Sequence, residues 1–144
     1  MTPTHLHLVL GLALATTSLA ETSLPSVFTD HMVLQRGQSN RVWGWDTPGT
    51  EVKVSFAGHS AAGKADAEGR WEASLPALEA SAEGRVLSVQ GSSAVEVQDV
   101  LVGEVWLCSG QSNMGFNLSS AWDADLEIAT ARFPHLRLLS VPNV

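Results

Sequence analysis

Between residues 25 and 101, short apolar runs alternate with turn-forming residues so often that no helix of ordinary length fits between the turns. Residues 32–34, 41–45, 51–56, 70–75, 85–89 and 94–101 are rich in Val, Trp and Phe. The clearest of them, Val52-Lys53-Val54-Ser55-Phe56, alternates apolar and polar with period two, the pattern of a strand with one buried face. Turn signals separate the runs: Thr47-Pro48-Gly49, Ala57-Gly58-His59, Ala67-Glu68-Gly69 and Gln90-Gly91-Ser92. Residues 21–101 are therefore expected to form a small antiparallel β-sandwich or barrel.

The pattern changes after Leu101. Val102-Gly103-Glu104-Val105-Trp106-Leu107-Cys108 is almost continuously apolar, as in a strand of a parallel sheet covered on both faces. The polar turn Ser109-Gly110-Gln111-Ser112-Asn113 follows. Residues 121–132 then carry good helix formers, with acids early and Arg late, and Pro134 stops them. Residues 136–141 read as the next strand. Strand, turn, helix and strand make one βαβ unit, so residues 102–144 are expected to begin an α/β domain of parallel-sheet type. One such unit cannot bury both faces of its sheet, and the chain is expected to stop inside that domain.

The first twenty residues have a different character. Residues 7–20 are almost free of charge, rich in Leu, Val and Ala, and end Ser18-Leu19-Ala20, the small-residue pattern read by a signal peptidase. The apolar stretch is shorter than the roughly 20 residues of a spanning helix, which favours a cleaved signal, residues 1–20, over a membrane anchor. The n-region lacks Lys and Arg, the one departure from the usual pattern. Export to a periplasmic or extracellular compartment follows, or to the secretory or lysosomal route in a eukaryote, with no stable membrane insertion once the signal is removed. A net charge of −7 with no basic run argues against nucleic acid as a partner. Cys108 is the sole cysteine, so no internal disulfide and no thiolate zinc site can form. Inside its apolar run it is expected to be buried and inert.

The turn after the apolar strand carries the chemistry. A Ser at the carboxyl end of a buried parallel strand, just ahead of helical sequence, sits where open α/β sheets place their active sites. Its backbone N–H can help to stabilise an oxyanion. Such turns are also common as plain Gly- and Ser-rich connectors. Gly110-Gln111-Ser112-Asn113 lacks the closing Gly of the Gly-x-Ser-x-Gly elbow.

The block from Gly103 to Met114, Gly-Glu-Val-Trp-Leu-Cys-Ser-Gly-Gln-Ser-Asn-Met, resembles the signature of the sialate O-acetylesterases, a branch of the SGNH (GDSL-like) hydrolases. Leu24-Pro25-Ser26-Val27-Phe28, Asp30-His31-Met32-Val33-Leu34-Gln35-Arg36, Val42-Trp43-Gly44-Trp45, Pro48-Gly49 and the hairpin from Asp66 to Trp71 resemble that family's N-terminal β-domain, in order. The resemblance implies an SGNH-type hydrolase domain after the β-domain, and a serine esterase acting on O-acetylated carbohydrate without metal or organic cofactor. Residue by residue, it implies Ser112 as nucleophile and as backbone oxyanion donor. Gly110, Gln111 and Asn113 then shape the turn. The catalytic His and Asp of the family come from a later block that this chain does not contain, so the chain by itself is expected to be inactive.

The resident histidines offer no ready substitute. His31 follows Asp30, but neighbours on a strand point to opposite faces, so a structural role is expected for both. His59 and His135 are expected at the surface. The five tryptophans, Trp43, Trp45, Trp71, Trp106 and Trp122, are read first as core, because aromatic side chains bury large areas. The same Trp-rich strands support the alternative reading, a non-catalytic β-module that binds carbohydrate or a partner protein. Asn117-Leu118-Ser119 is a glycosylation sequon, meaningful only in a eukaryotic secretory host.

Overall fold

The computed structural model describes residues 21–141; the expected signal, residues 1–20, lies outside them, as do residues 142–144. The described chain is strand-rich through residue 103 and holds little regular structure after it. In order it forms β1 (Val33–Gln35), β2 (Asn40–Trp45), β3 (Glu51–Phe56), β4 (His59–Lys64), β5 (Arg70–Leu75), β6 (Ser81–Gln90) and β7 (Ala94–Gly103). One sheet runs β1-β7-β6-β3-β4 and a smaller one pairs β2 with β5. All pairings are antiparallel except β1 with β7, which is parallel. The larger sheet is thus mixed, where the sequence suggested antiparallel strands throughout. The short β1 is laid beside the end of β7 by the loop that returns through His31, whose N–H donates to the Gln98 carbonyl at 2.9 Å.

Period-two patterning builds the core. Val52, Val54 and Phe56 of β3 point inward while Glu51 and Lys53 are exposed, and Trp71, Ala73 and Leu75 of β5 do the same. With Val42, Leu87, Val89, Val97 and Val100 they fill the space between the two sheets. Each fully buried Val or Leu contributes roughly 1.5–3 kcal/mol by leaving water, so this interior is the main support of the β-module.

Strand β4 is absent from the sequence reading, which placed His59 in a turn. Its residues, His-Ser-Ala-Ala-Gly-Lys, carry little β-propensity, and pairing with β3 makes the strand. Ala57 and Gly58 form a two-residue connection with φ of 48° and 81°, the backbone of a hairpin turn whose twist matches the flanking strands.

Two further expectations are corrected. Trp43 and Trp45 are not core; they are 36% and 43% exposed, and of the five tryptophans only Trp71 is buried. The inward positions of β2 go to Asn40, Val42 and Gly44. A side chain at Gly44 would overlap the Ser23 carbonyl and crowd the Trp71 ring, so glycine takes that inward place and alternation turns Trp43 and Trp45 outward. Second, the βαβ unit does not form among the described residues. Helix α1 (Ala124–Thr130) is present, but residues 104–108 and 136–141 are not strands and Cys108 is exposed. A parallel strand is held by neighbours on its edges and helices on its faces, and β7 is already paired to β1 and β6 before the chain leaves it at Gly103.

Candidate functional site

Ser112 opens a single 3-10 turn, Ser112–Gly115, closed by the Met114 N–H donating to the Gln111 carbonyl at 2.9 Å. Gly110, Gln111, Ser112 and Asn113 are all exposed, and among the described residues no side chain hydrogen-bonds the Ser112 hydroxyl. The four turn residues therefore stand together on the surface, and no histidine is assembled with them. A hydroxyl in this setting has no base and is an ordinary, weakly nucleophilic serine.

The β-module grips the chain just before this turn. The Val105 N–H donates to Gln35 Oε1 at 2.7 Å, and Gln35 Nε2 donates to Glu104 Oε2 at 2.9 Å. Arg36 adds its N–H to the Gly103 carbonyl at 2.9 Å and an exposed ion pair, 3.5 Å, to Glu104. The exit from β7 is thus clamped by residues of β1 and its following turn.

A second contact reaches the far end of the segment. His31 Nδ1 lies 2.6 Å from Asp99 Oδ2, and Arg137 donates to the same oxygen at 2.8 Å. The His31 hydrogen bond, opposed by a smaller effect of burial and helped by the positive field of Arg137 and the two histidines, holds the Asp99 carboxyl below its ordinary value. His31 and Asp99 both have positive φ, 66° and 53°, in a turn and at an irregularity of β7. His31 is therefore partnered by Asp99 and not by Asp30, whose carboxylate accepts the Gln98 N–H at 2.7 Å. The structural role expected for both residues agrees with these contacts. Nothing in the sequence pointed to Asp99 or Arg137, which are isolated charges 38 positions apart.

Asp46 is a third polar centre that sequence reading missed. It is 2% exposed, and its carboxylate accepts hydrogen bonds from Thr22 Oγ1 at 2.7 Å, the Thr47 N–H at 2.6 Å and the Ser92 N–H at 3.1 Å. Burial alone would raise its carboxyl, but the Ser92 side chain, Thr22 and the two N–H donors outweigh it and hold the group below the usual carboxylate range. Asp46 ties the end of β2 to the N-terminal segment and to the β6–β7 turn, and so has a structural place. Among the described residues no cluster of His, Cys, Asp and Glu could hold a metal ion, and no helix is long and apolar enough to cross a membrane.

On the outer face of the β2–β5 sheet, Arg41, Trp43, Asp66, Arg70, Trp71 and Glu72 line an open cavity of about 330 Å³. Trp43 is held there edge-on by Phe28, with ring centres 4.8 Å apart.

No family model matches the chain. Its sequence is similar to the sialate O-acetylesterase of Mus musculus, 34% identical over 81% of this chain and 24% of that protein. It is also similar to the sialate O-acetylesterase of Homo sapiens, 33% identical over 95% of this chain and 30% of that protein. Among solved structures, a carbohydrate acetylesterase from Xanthomonas citri superposes with a TM-score of 0.74 and 45% identity, over 79% of this chain and 26% of that one. The fold described above is thus one found in a carbohydrate acetylesterase. The chain itself belongs to the sialate O-acetylesterase family, and it spans 24% to 30% of the length of the relatives just named.

Proposed function

We propose that this chain supplies the β-module and the nucleophile of an exported serine esterase that removes O-acetyl groups from sugars. The observation that carries the reading is family membership together with the exposed Gly110-Gln111-Ser112-Asn113 turn, which begins seven positions after Gly103, the end of the last strand of the β-module. In the proposed reaction the Ser112 hydroxyl attacks the acetyl carbonyl while a base takes its proton. The Ser112 N–H helps to hold the tetrahedral oxyanion, the sugar oxygen leaves with the proton, and water then hydrolyses the acetyl-enzyme to acetate. The scheme uses no metal or organic cofactor. Gly110, Gln111 and Asn113 set the shape of the turn.

The base and its orienting acid are proposed to come from the part of the family's length that this chain does not span. In that setting residues 102–144 complete the βαβ start of an SGNH-type domain. The apolar side chains now facing solvent support this, among them Trp106, Leu107, Trp122 and Leu138, which are 81% to 91% exposed. Residues 1–20 act as the export signal, residues 21–101 as the β-module, and the substrate is an O-acetylated carbohydrate of sialate or other type.

The deciding experiment measures acetate release from an O-acetylated sugar by a protein of full family length. Ser112→Ala should lower the rate at least about ten-thousandfold, and a variant that keeps the parental rate would remove Ser112 from the reaction. The chain of residues 21–144 alone should show no turnover.

A further inference from the structure

The outer face of the β2–β5 sheet has the composition of a sugar-binding surface and no role in the chemistry at Ser112. Its floor is set by strand register. Trp43 stands opposite Glu72 and Trp45 opposite Arg70, with Arg41 two positions before Trp43 on the same face. Successive outward positions on one strand lie about 6.5 Å apart, so the two indoles form a stepped aromatic strip along β2. Trp43 cannot swing freely, because Phe28, itself 9% exposed, abuts it edge to face. The strip is therefore ordered before any ligand arrives, which reduces the entropy lost on binding.

The rim is polar in a particular way. Arg41 and Glu72 form only a loose pair at 3.5 Å, with side chains 68% and 51% exposed, so both ends remain open to a ligand. Asp66 uses one carboxylate oxygen for the N–H groups of Glu68 and Arg70, at 3.1 and 2.7 Å, which fixes it at the cavity edge. Planar carboxylates and guanidinium groups reach two adjacent hydroxyls at once, while the C–H face of a pyranose meets the negative face of an indole. The cavity volume of about 330 Å³ lies at the small end of ligand pockets, which run from about 300 to 1,000 Å³.

We infer that this face binds a pyranose unit of a glycan chain, with Trp43 and Trp45 as the stacking platform and Arg41, Asp66, Arg70 and Glu72 contacting its hydroxyls. The inference deepens the esterase reading by giving the β-module a hold on the polysaccharide that carries the acetyl groups. The test is affinity electrophoresis of the full chain in gels cast with hydroxyethylcellulose, xylan or sialylated mucin. At least one polymer should retard the protein, and Trp45→Ala, whose ring has no aromatic partner, should weaken that retention about thirtyfold, the weight of an aromatic anchor. Trp43→Ala should act alike, with circular dichroism checking that its loss of the Phe28 contact has not unfolded the module. Glu72→Gln should weaken retention less, since it keeps a planar hydrogen-bonding group. Ser112→Ala should be retained like the parent, so failure of the esterase assignment would appear in acetate release and leave this readout untouched. Mobility unchanged in every gel, or retention indifferent to both tryptophan substitutions, would overturn the inference. So would Trp43 and Trp45 fluorescence that acrylamide cannot quench in a protein of full family length, because the face would then be covered by the rest of the protein.

Discussion

Replacing Asp46 with Ala tests the structure at the point where burial and charge meet. The carboxylate is 2% exposed and takes hydrogen bonds from Thr47, Thr22 and Ser92 at 2.6, 2.7 and 3.1 Å. Bonds of this kind to a charged acceptor are worth about 1.5–3 kcal/mol each, though not additively. In the variant, Ser92 is exposed and can turn to water, and the Thr22 hydroxyl can give its proton to the Ser93 carbonyl 2.9 Å away, so the half-buried Thr47 N–H is the donor left wanting. A loss of about 2 kcal/mol is expected on that basis. For a module of this size, 1 kcal/mol moves the melting temperature by about 4–8 °C, so the fall should be roughly 8–16 °C. The dependence on pH has a definite sign. Because the folded carboxyl lies below its ordinary value of 3.8, its contribution is complete above that pH and disappears as the pH falls through the lower folded value. Melting followed by circular dichroism at pH 7 should show the full gap between parent and variant, and a series descending below pH 3.8 should show it narrowing. Asp46→Asn keeps the volume but points an NH2 group at N–H donors, so it should also melt early and lack this acid dependence. A variant melting within about 2 °C of the parent at pH 7 would mean that the network is too wet to matter, and the reasoning would fail. So would a gap that stays constant as the pH falls.

Other consequences can be measured on the same material. Gly44→Ala would push a methyl group into the Ser23 carbonyl and against Trp71, breaking the Ser23–Trp45 bridge; a loss of about 1–3 kcal/mol in urea unfolding is expected. Asp99→Asn should free Arg137, so trypsin should cut after Arg132 and Arg137 severalfold faster at pH 7 than in the parent. The parent should acquire the same sensitivity only in acid, as the Asp99 carboxyl protonates below its ordinary 3.8, a change to be followed by hydrogen exchange of residues 133–141. Removing residues 104–144 should leave a cooperatively melting β-module of higher solubility, since Trp106, Leu107, Trp122 and Leu138 go with the cut; light scattering of both forms decides this.

Strand β3 shows what sequence pattern carries well: its five-residue alternation predicts the element, its bounds and its buried face together. The strand over residues 85–89 came out short of Ser81–Gln90 because its first half, Ser-Ala-Glu-Gly-Arg, is polar and exposed and is held only by its ladder to β7. Strand β4 failed for the same reason: its order comes from a neighbour. The apolar run of residues 104–108 misled in the opposite direction. Hydrophobicity marks surface that needs cover, and whether a strand results depends on which partners the chain provides. The tryptophans were misplaced because a large apolar side chain was weighed without its parity, although Gly44 between two of them was the available clue to which face points inward. At the candidate site the sequence made the turn around Ser112 legible through resemblance, while Asp46, Asp99 and Arg137 lay beyond it. Apart from the adjacent Thr47, their partners are 24 to 68 positions away or depend on a left-handed backbone that no local pattern announces.

On the proposed function, the contacts around β1 give a reason for a β-module and the Ser112 turn to share one chain. β1 is parallel to the end of β7, so Gln35 and Arg36 arrive beside Gly103 and Glu104 where the chain leaves the module. Gln35 then spends both ends of its amide on the next two residues, accepting from Val105 and donating to Glu104. A glutamine can do this only when its own strand is fixed, and β1 is fixed by its ladder and by Leu34, which is 4% exposed. Asp99 acts from the other side of the same strand end, holding Arg137 at the far side of the Ser112 segment. The segment is thus tied at its beginning and near its end by residues of one three-residue strand region and one β7 irregularity. An exposed turn with little packing of its own would otherwise wander by several ångströms, and displacements of about 1 Å already cost about a hundredfold in a positioned reaction. On the proposed function, the β-module serves as the anchor from which the nucleophile is aimed.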